Sequence, residues 1–197
     1  ALGDSYTIGT AIGVNSSYAA QLRDSLKSVS TDDSIYYQVI AKNGWTTADL
    51  KQGIAAAQPD SNFDVVSLLI GVNNQYQGRS ISEYKQEFLQ LLQQAIAFAG
   101  GRKESVLVLS IPDWGMSPAG AGSRAQVSQE IDDFNRAQKS ICDSLGVNFF
   151  DITEMSREAL NKPSLIAKDG LHFSTEMHQI WMREIYPIWY AKLQEAQ

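Results

Sequence analysis

Cysteine is all but missing from the chain: among 197 residues, Cys142 stands alone. An internal disulfide and any cysteine-rich metal site are thereby excluded. The setting of Cys142, AQKSICDSLG, reads as the buried face of a helix. Clustered basic charge is missing too. The chain has 16 Lys and Arg against 22 Asp and Glu, a net charge of −6. Neutralising a phosphate backbone needs grouped cations, so nucleic acid is not an expected partner. No apolar run approaches the ~18 residues of a membrane-spanning helix. No leader is visible. Ala1-Leu2 reads as the tail of a strand, and a cytoplasmic chain and an exported one whose leader lies outside this sequence both stay open. Carboxylates do not gather as a hard cation would require, and Asp132-Asp133 falls on a charged, solvated helical face. No metal and no cofactor are expected.

What is present is ample apolar material, 44% of the residues, enough for a sizeable core. The length fits one domain over residues 1–197. Helical periods run over residues 17–28, 46–57, 82–99, 126–145 and 174–193. Thr46 or Thr47 is a candidate cap for the second, and Pro187 is expected to kink the last. Between them lie strand-like runs at 35–41 (IYYQVIA), 64–70 (DVVSLLI), 105–111 (SVLVLSI) and 147–150. Near-continuous apolar runs such as DVVSLLI suit parallel strands covered on both faces. Strands alternating with helices predict an α/β fold, a three-layer α/β/α sandwich around a parallel sheet.

In such open sheets, ligands sit beyond the carboxyl ends of the strands. The loops there read GDSYTIG, KNGWTT, GVNNQYQGR and PDWGMSP, with KDGLHFS just before the final helix. Histidine is scarce, and a hydroxyl nucleophile needs a base of that kind. His178 lies inside the last helical pattern, where a surface or core-edge role is expected. His172 sits in KDGLHFS, three residues after Asp169. That spacing lets the carboxylate reach Nδ1 and hold the tautomer that leaves Nε2 free to take a proton. Alone, D-x-x-H is a weak signal that occurs by chance in many proteins, and it otherwise reads as a capped helix start with a surface histidine. Gly44 is equally a turn glycine, and Asn73 an Asx-turn or cap residue. A phosphate cradle in GDSYTIGTAIG lacks the required Lys and the G-x-G-x-x-G spacing.

Taken in order, GDSYT, the glycine of KNGWTT, GVNN and the D-x-x-H near the C-terminus resemble the SGNH, or GDSL-type, serine hydrolase family. The resemblance spans residues 3–172. It implies a flavodoxin-like sandwich, Ser5 as nucleophile, His172 as base and then acid, and Asp169 as its orienting partner. It also implies an oxyanion hole from the Ser5 and Gly44 N–H groups and the Asn73 amide. Asn74 departs from the family's usual G-x-N-D, where an aspartate stands.

The expected activity is esterase chemistry through an acyl-enzyme on a small-molecule or carbohydrate ester. Short loops without an inserted lid favour small acyl groups such as acetyl. Tyr6, Trp45, Tyr76 and Trp114 are the aromatic candidates for the substrate pocket. The alternatives are a non-catalytic carbohydrate- or lipid-binding domain on the same scaffold, or an acyltransferase. The oligomeric state is left open by the sequence.

Overall fold

The structure, a computed structural model, describes residues 1–30 and 34–195. The chain opens with β1 (Leu2–Gly3) and the single-turn helix α1 (Ser5–Ile8), then α2 (Tyr18–Val29), β2 (Ile40–Ala41) and α3 (Thr47–Ala57). It continues through β3 (Val66–Leu69), the short α4 (Val72–Tyr76), α5 (Ile81–Phe98) and β4 (Val106–Leu109). After two 3₁₀ turns come α6 (Arg124–Leu145), β5 (Asn148–Phe150), α7 (Thr153–Arg157) and α8 (Thr175–Glu195).

The five strands form one parallel sheet in the order β2-β1-β3-β4-β5. Leu2 pairs with Ile40 on one side and Leu68 on the other. The chain therefore leaves β1 in one direction and returns across it in the other. Right-handed crossovers then place α2 on one face and α3, α5 and α6 on the opposite face. The packing agrees, with α2 against α8, and α3 against α5 against α6. The reversal opens a crevice between the carboxyl ends of β1 and β3, where such folds hold ligands. Every residue of β3 and β4 is buried, as their unbroken apolar runs require.

Helix starts follow their caps. Thr46 caps α3 in a reciprocal box with Asp49, while Ser17 and Ser80 cap α2 and α5. Two buried amides of α6 tie down strand ends near the crevice: Gln138 donates to the Ile70 carbonyl at 2.9 Å, and Asn135 pairs with both backbone groups of Ile111. α8 runs unbroken through Pro187.

Two expectations need correction. Of residues 35–41, only Ile40 and Ala41 form a strand. β2 is an edge strand, and its neighbour β1 has only two residues to offer as a ladder. Tyr36 accordingly stands 70% exposed. His178, expected at the surface or the edge of the core, is instead buried outright, 1% exposed. Its Nδ1 accepts the Tyr18 N–H at 2.9 Å, one of the donors that the first turn of α2 leaves without an intrahelical partner. The Trp181 ring packs 4.4 Å away. Burial, helped by the nearby His172, lowers the His178 pKa to about 3, so this imidazole is a neutral tie between α2 and α8. The unfolded chain takes a proton there below its ordinary value near 6.5. The stability His178 contributes is thus whole above that pH and lost as pH falls toward 3.

Candidate active site

Ser5 sits where β1 turns into α1. Gly3 makes that turn possible: a Cβ there would lie 2.0 Å from Thr7 Oγ1 and 2.3 Å from the Leu69 carbonyl. Asp4 caps α1, its Oδ1 accepting the Tyr6 N–H at 3.1 Å. Ser5 follows as the first residue of α1, 6% exposed, at the end of a helix whose early N–H groups lack intrahelical acceptors. Asp4 itself is fully buried, and its Oδ2 has no partner among the described residues. Burial raises its pKa to about 7, against the lowering pull of the Tyr6 and Asp4 backbone N–H groups.

That shift makes a stability prediction. Between the ordinary carboxyl value and about 7, the folded state holds a proton that the unfolded state has released. The favourable contribution is complete below the unfolded value and lost as pH rises through 7. Asp4→Asn keeps a good cap and removes the charge. It is expected to stabilise the protein by about 2–4 kcal/mol at pH 8 and by little near pH 4. Denaturant midpoints at the two pH values measure this, and an equal gain at both would show that charge is not the cause.

His172 and Asp169 meet in the loop before α8. Asp169 Oδ2 lies 2.6 Å from His172 Nδ1, while Oδ1 accepts the backbone N–H groups of Leu171 and His172 at 3.0 Å each. Gly170, at φ +71°, supplies the tight bend between them. Partial burial alone would raise the Asp169 carboxyl. The hydrogen bonds from the His172 ring and the two N–H groups outweigh it and hold the pKa below the ordinary value. The Ser5 turn meets this loop through Tyr6, whose ring packs edge-on against the imidazole with centroids 5.6 Å apart.

The loops after β2 and β3 close on each other across the crevice. Asn73 Nδ2 donates to the Trp45 carbonyl at 2.9 Å, which uses one of its two N–H bonds and leaves the other. Gly44 precedes Trp45 at φ +79°, with nothing within 4 Å of where a Cβ would stand. It faces open space, and its backbone rather than crowding calls for glycine. The Thr10 hydroxyl donates to Asn43 and joins this loop to the one after α1.

Asn74, buried behind Asn73, engages Thr47 twice. Its Oδ1 accepts the Thr47 N–H at 3.0 Å and its Nδ2 donates to Thr47 Oγ1 at 2.7 Å. Thr47 Oγ1 in turn donates its one proton to Glu87. A carboxylate at position 74 would compete with Glu87 for that proton and set two negative charges about one hydroxyl. Asn74→Asp is expected to lower stability by about 1–3 kcal/mol, and the double variant with Glu87→Gln to regain most of it. Thermal unfolding of the three variants tests the coupling; strictly additive effects would refute it.

The four aromatic candidates occupy different settings. Tyr6 is buried against His172 and Phe173. Trp45 lays its ring over Gly53 of α3, where an added Cβ would fall 2.2 Å from it. Trp114 is nearly buried; its indole donates to Gln75 Oε1 at 2.8 Å, and Gln75 donates to Glu130 at 2.7 Å. Tyr76 is 69% exposed and packs edge-on against Trp114. Beneath them, Arg157 clamps the PDWG loop by pairing with the buried Asp113 at 2.9 Å and with Asp132 at 2.6 Å. Asp132 is thus drawn into an ion-pair cluster rather than simply solvated.

These supports carried little local signal, because each joins residues far apart in the chain. Gly53 is the exception: a glycine inside a helical period signals close approach by another group. Among the described residues, no three His, Cys, Asp or Glu side chains gather as a metal site would need, and no helix is long and apolar enough to cross a membrane.

Residues 1–180 match the family described as GDSL-like Lipase/Acylhydrolase. No curated protein matches the chain. Among solved structures, the fold is similar to an acetyl xylan esterase, AlAXEase, with TM-score 0.70 and 16% identity over 95% of this chain and 96% of that one. It is similar to the acetylxylan esterase Axe2 from Geobacillus stearothermophilus, with TM-score 0.65 and 22% identity over 93% and 91%. The psychrotrophic esterase EstA from Pseudoalteromonas sp. gives TM-score 0.68 and 16% identity over 94% and 92%.

Proposed function

Since this chain belongs to the GDSL-like lipase/acylhydrolase family and is a carboxylic ester hydrolase, we propose that it is a serine esterase working through an acyl-enzyme, with residues 1–197 as one domain. The observation that carries this reading is the Asp169–His172 pair, at 2.6 Å, packed against the turn that presents Ser5. Asp169 holds the proton on Nδ1, so Nε2 carries a lone pair. Ser5 Oγ attacks the ester carbonyl and its proton passes to Nε2. The carbonyl oxygen becomes an oxyanion facing the Ser5 and Gly44 N–H groups and the free N–H of Asn73. Each such donor is worth roughly 3 kcal/mol in the transition state. The tetrahedral adduct collapses, the C–O bond to the alcohol breaks, and the imidazolium protonates the leaving oxygen. Water then attacks the acyl-enzyme, gives its proton to Nε2, and Ser5 leaves with that proton.

For the substrate, we propose short acyl groups on carbohydrate alcohols. The exposed Tyr76 ring, steadied by Trp114, offers a sugar a stacking face one turn beyond Asn73. The two acetylxylan esterases of similar fold are consistent with that chemistry. A p-nitrophenyl ester series from acetyl to octanoyl tests the acyl side. Turnover is expected to be fastest for acetyl, and faster cleavage of octanoyl would overturn the assignment.

A further inference from the structure

A second cavity lies behind the Asp169 loop and takes no part in the chemistry above. It measures about 320 Å³, within the range of small-molecule sites. Met116, Pro118, Leu160 and Ile166 give it apolar walls, and its charged residues are two cations, Arg124 and Lys168. Neither Ser5, Gly44, Asn73 nor His172 lines it.

Both cations are uncommitted. Arg124 Nε donates to the Gly115 carbonyl at 3.1 Å, which fixes the plane of the guanidinium while leaving its terminal nitrogens without a carboxylate partner among the described residues. Lys168 likewise has no ion pair among the described residues, although acidic groups outnumber basic ones in this chain. Leu160 holds an apolar side chain, 45% exposed, at the same cavity. Isolated exposed leucines are ordinary, but this one adjoins further apolar wall and a pair of unpaired cations.

An apolar chamber with two free cations matches a ligand with an apolar body and one anionic head. A guanidinium held in one plane suits the two oxygens of a carboxylate, and the ammonium adds a point charge. We propose that this cavity binds small amphiphilic carboxylates of medium-chain type, at a site separate from the catalytic crevice. Its wall is shared with the catalytic loop. Lys168 and Gly170 flank Asp169, and the Gly170 carbonyl accepts the Ala119 N–H at 3.0 Å, joining the two sides of the cavity.

Isothermal titration of the full chain with octanoate tests the proposal, with octanol and acetate as probes of the apolar and charged halves alone. Octanoate is expected to bind at least tenfold more tightly than either. Arg124→Gln with Lys168→Gln is expected to weaken octanoate about tenfold or more while leaving octanol unchanged. Arg124→Lys, which keeps the charge but loses the planar fork and its Nε bond to the Gly115 carbonyl, is expected to weaken octanoate several-fold, less than the double variant does. Acetyl-ester turnover checks that the double variant is still folded. Octanol binding as tightly as octanoate, or octanoate binding unchanged in the double variant, would overturn the proposal, as would no octanoate binding at all.

Discussion

Replacing Ser5 with alanine is expected to cut the hydrolysis of p-nitrophenyl acetate by about 10⁴-fold or more, with any residue of activity owed to the oxyanion donors and to binding. The substitution is structurally mild. Ser5 is buried at the start of α1, alanine is the best helix former, and the Asp4 cap that sets the turn is untouched. Circular dichroism should therefore match the wild type. His172→Ala removes the base of the same step and should be as severe, with little further loss in the double variant because the two groups act as a unit. Undiminished turnover in folded Ser5→Ala protein would place the nucleophile elsewhere.

The second large effect is expected from Asp169→Asn. The amide oxygen of asparagine still accepts the Leu171 and His172 N–H groups, so the loop keeps its shape. Its nitrogen, however, puts a donor where His172 Nδ1 requires an acceptor. The imidazole then favours the tautomer with its proton on Nε2, which cannot accept the serine proton. A fall in kcat of about 10²- to 10⁴-fold is expected with KM little changed; the lower figure reflects the partial solvent access of the pair. A kcat within about threefold of wild type would remove Asp169 from the mechanism. The hydrogen bonds on Asp169 keep its carboxyl ionised to lower pH than usual, so the acceptor for the Nδ1 proton persists there.

The central sheet was legible in the sequence because β3 and β4 are covered on both faces, and such strands must be apolar throughout. The edge strand was not. IYYQVIA has strand chemistry, but strand length is settled by the partner, and β1 offers two residues. α1 and α4 have only four and five residues, too few to show a helical period, so their sequences are those of loops. Asp169 and His172 were legible as a pair because their contact is local. The link from Asn73 to the Trp45 carbonyl, and the one from His178 to the Tyr18 N–H, join loops or helices that only the fold brings together. His178 shows the difference sharply: its neighbours in sequence, Met177 and Gln179, say nothing of a partner 160 residues away.

The arrangement of Asn74, Thr47 and Glu87 also bears on how such a site changes over generations. A single shared proton on the Thr47 hydroxyl admits one carboxylate beside it, and here that carboxylate stands at position 87. Moving it to position 74 takes two substitutions, and the intermediate with both acids carries the cost of repulsion. The intermediate with neither keeps the amide contacts of Asn74. A lineage exchanging one arrangement for the other therefore has a preferred order, losing the acid at 87 before gaining one at 74. An acid is tolerated at residue 74 only in chains where residue 87 has already given up its own.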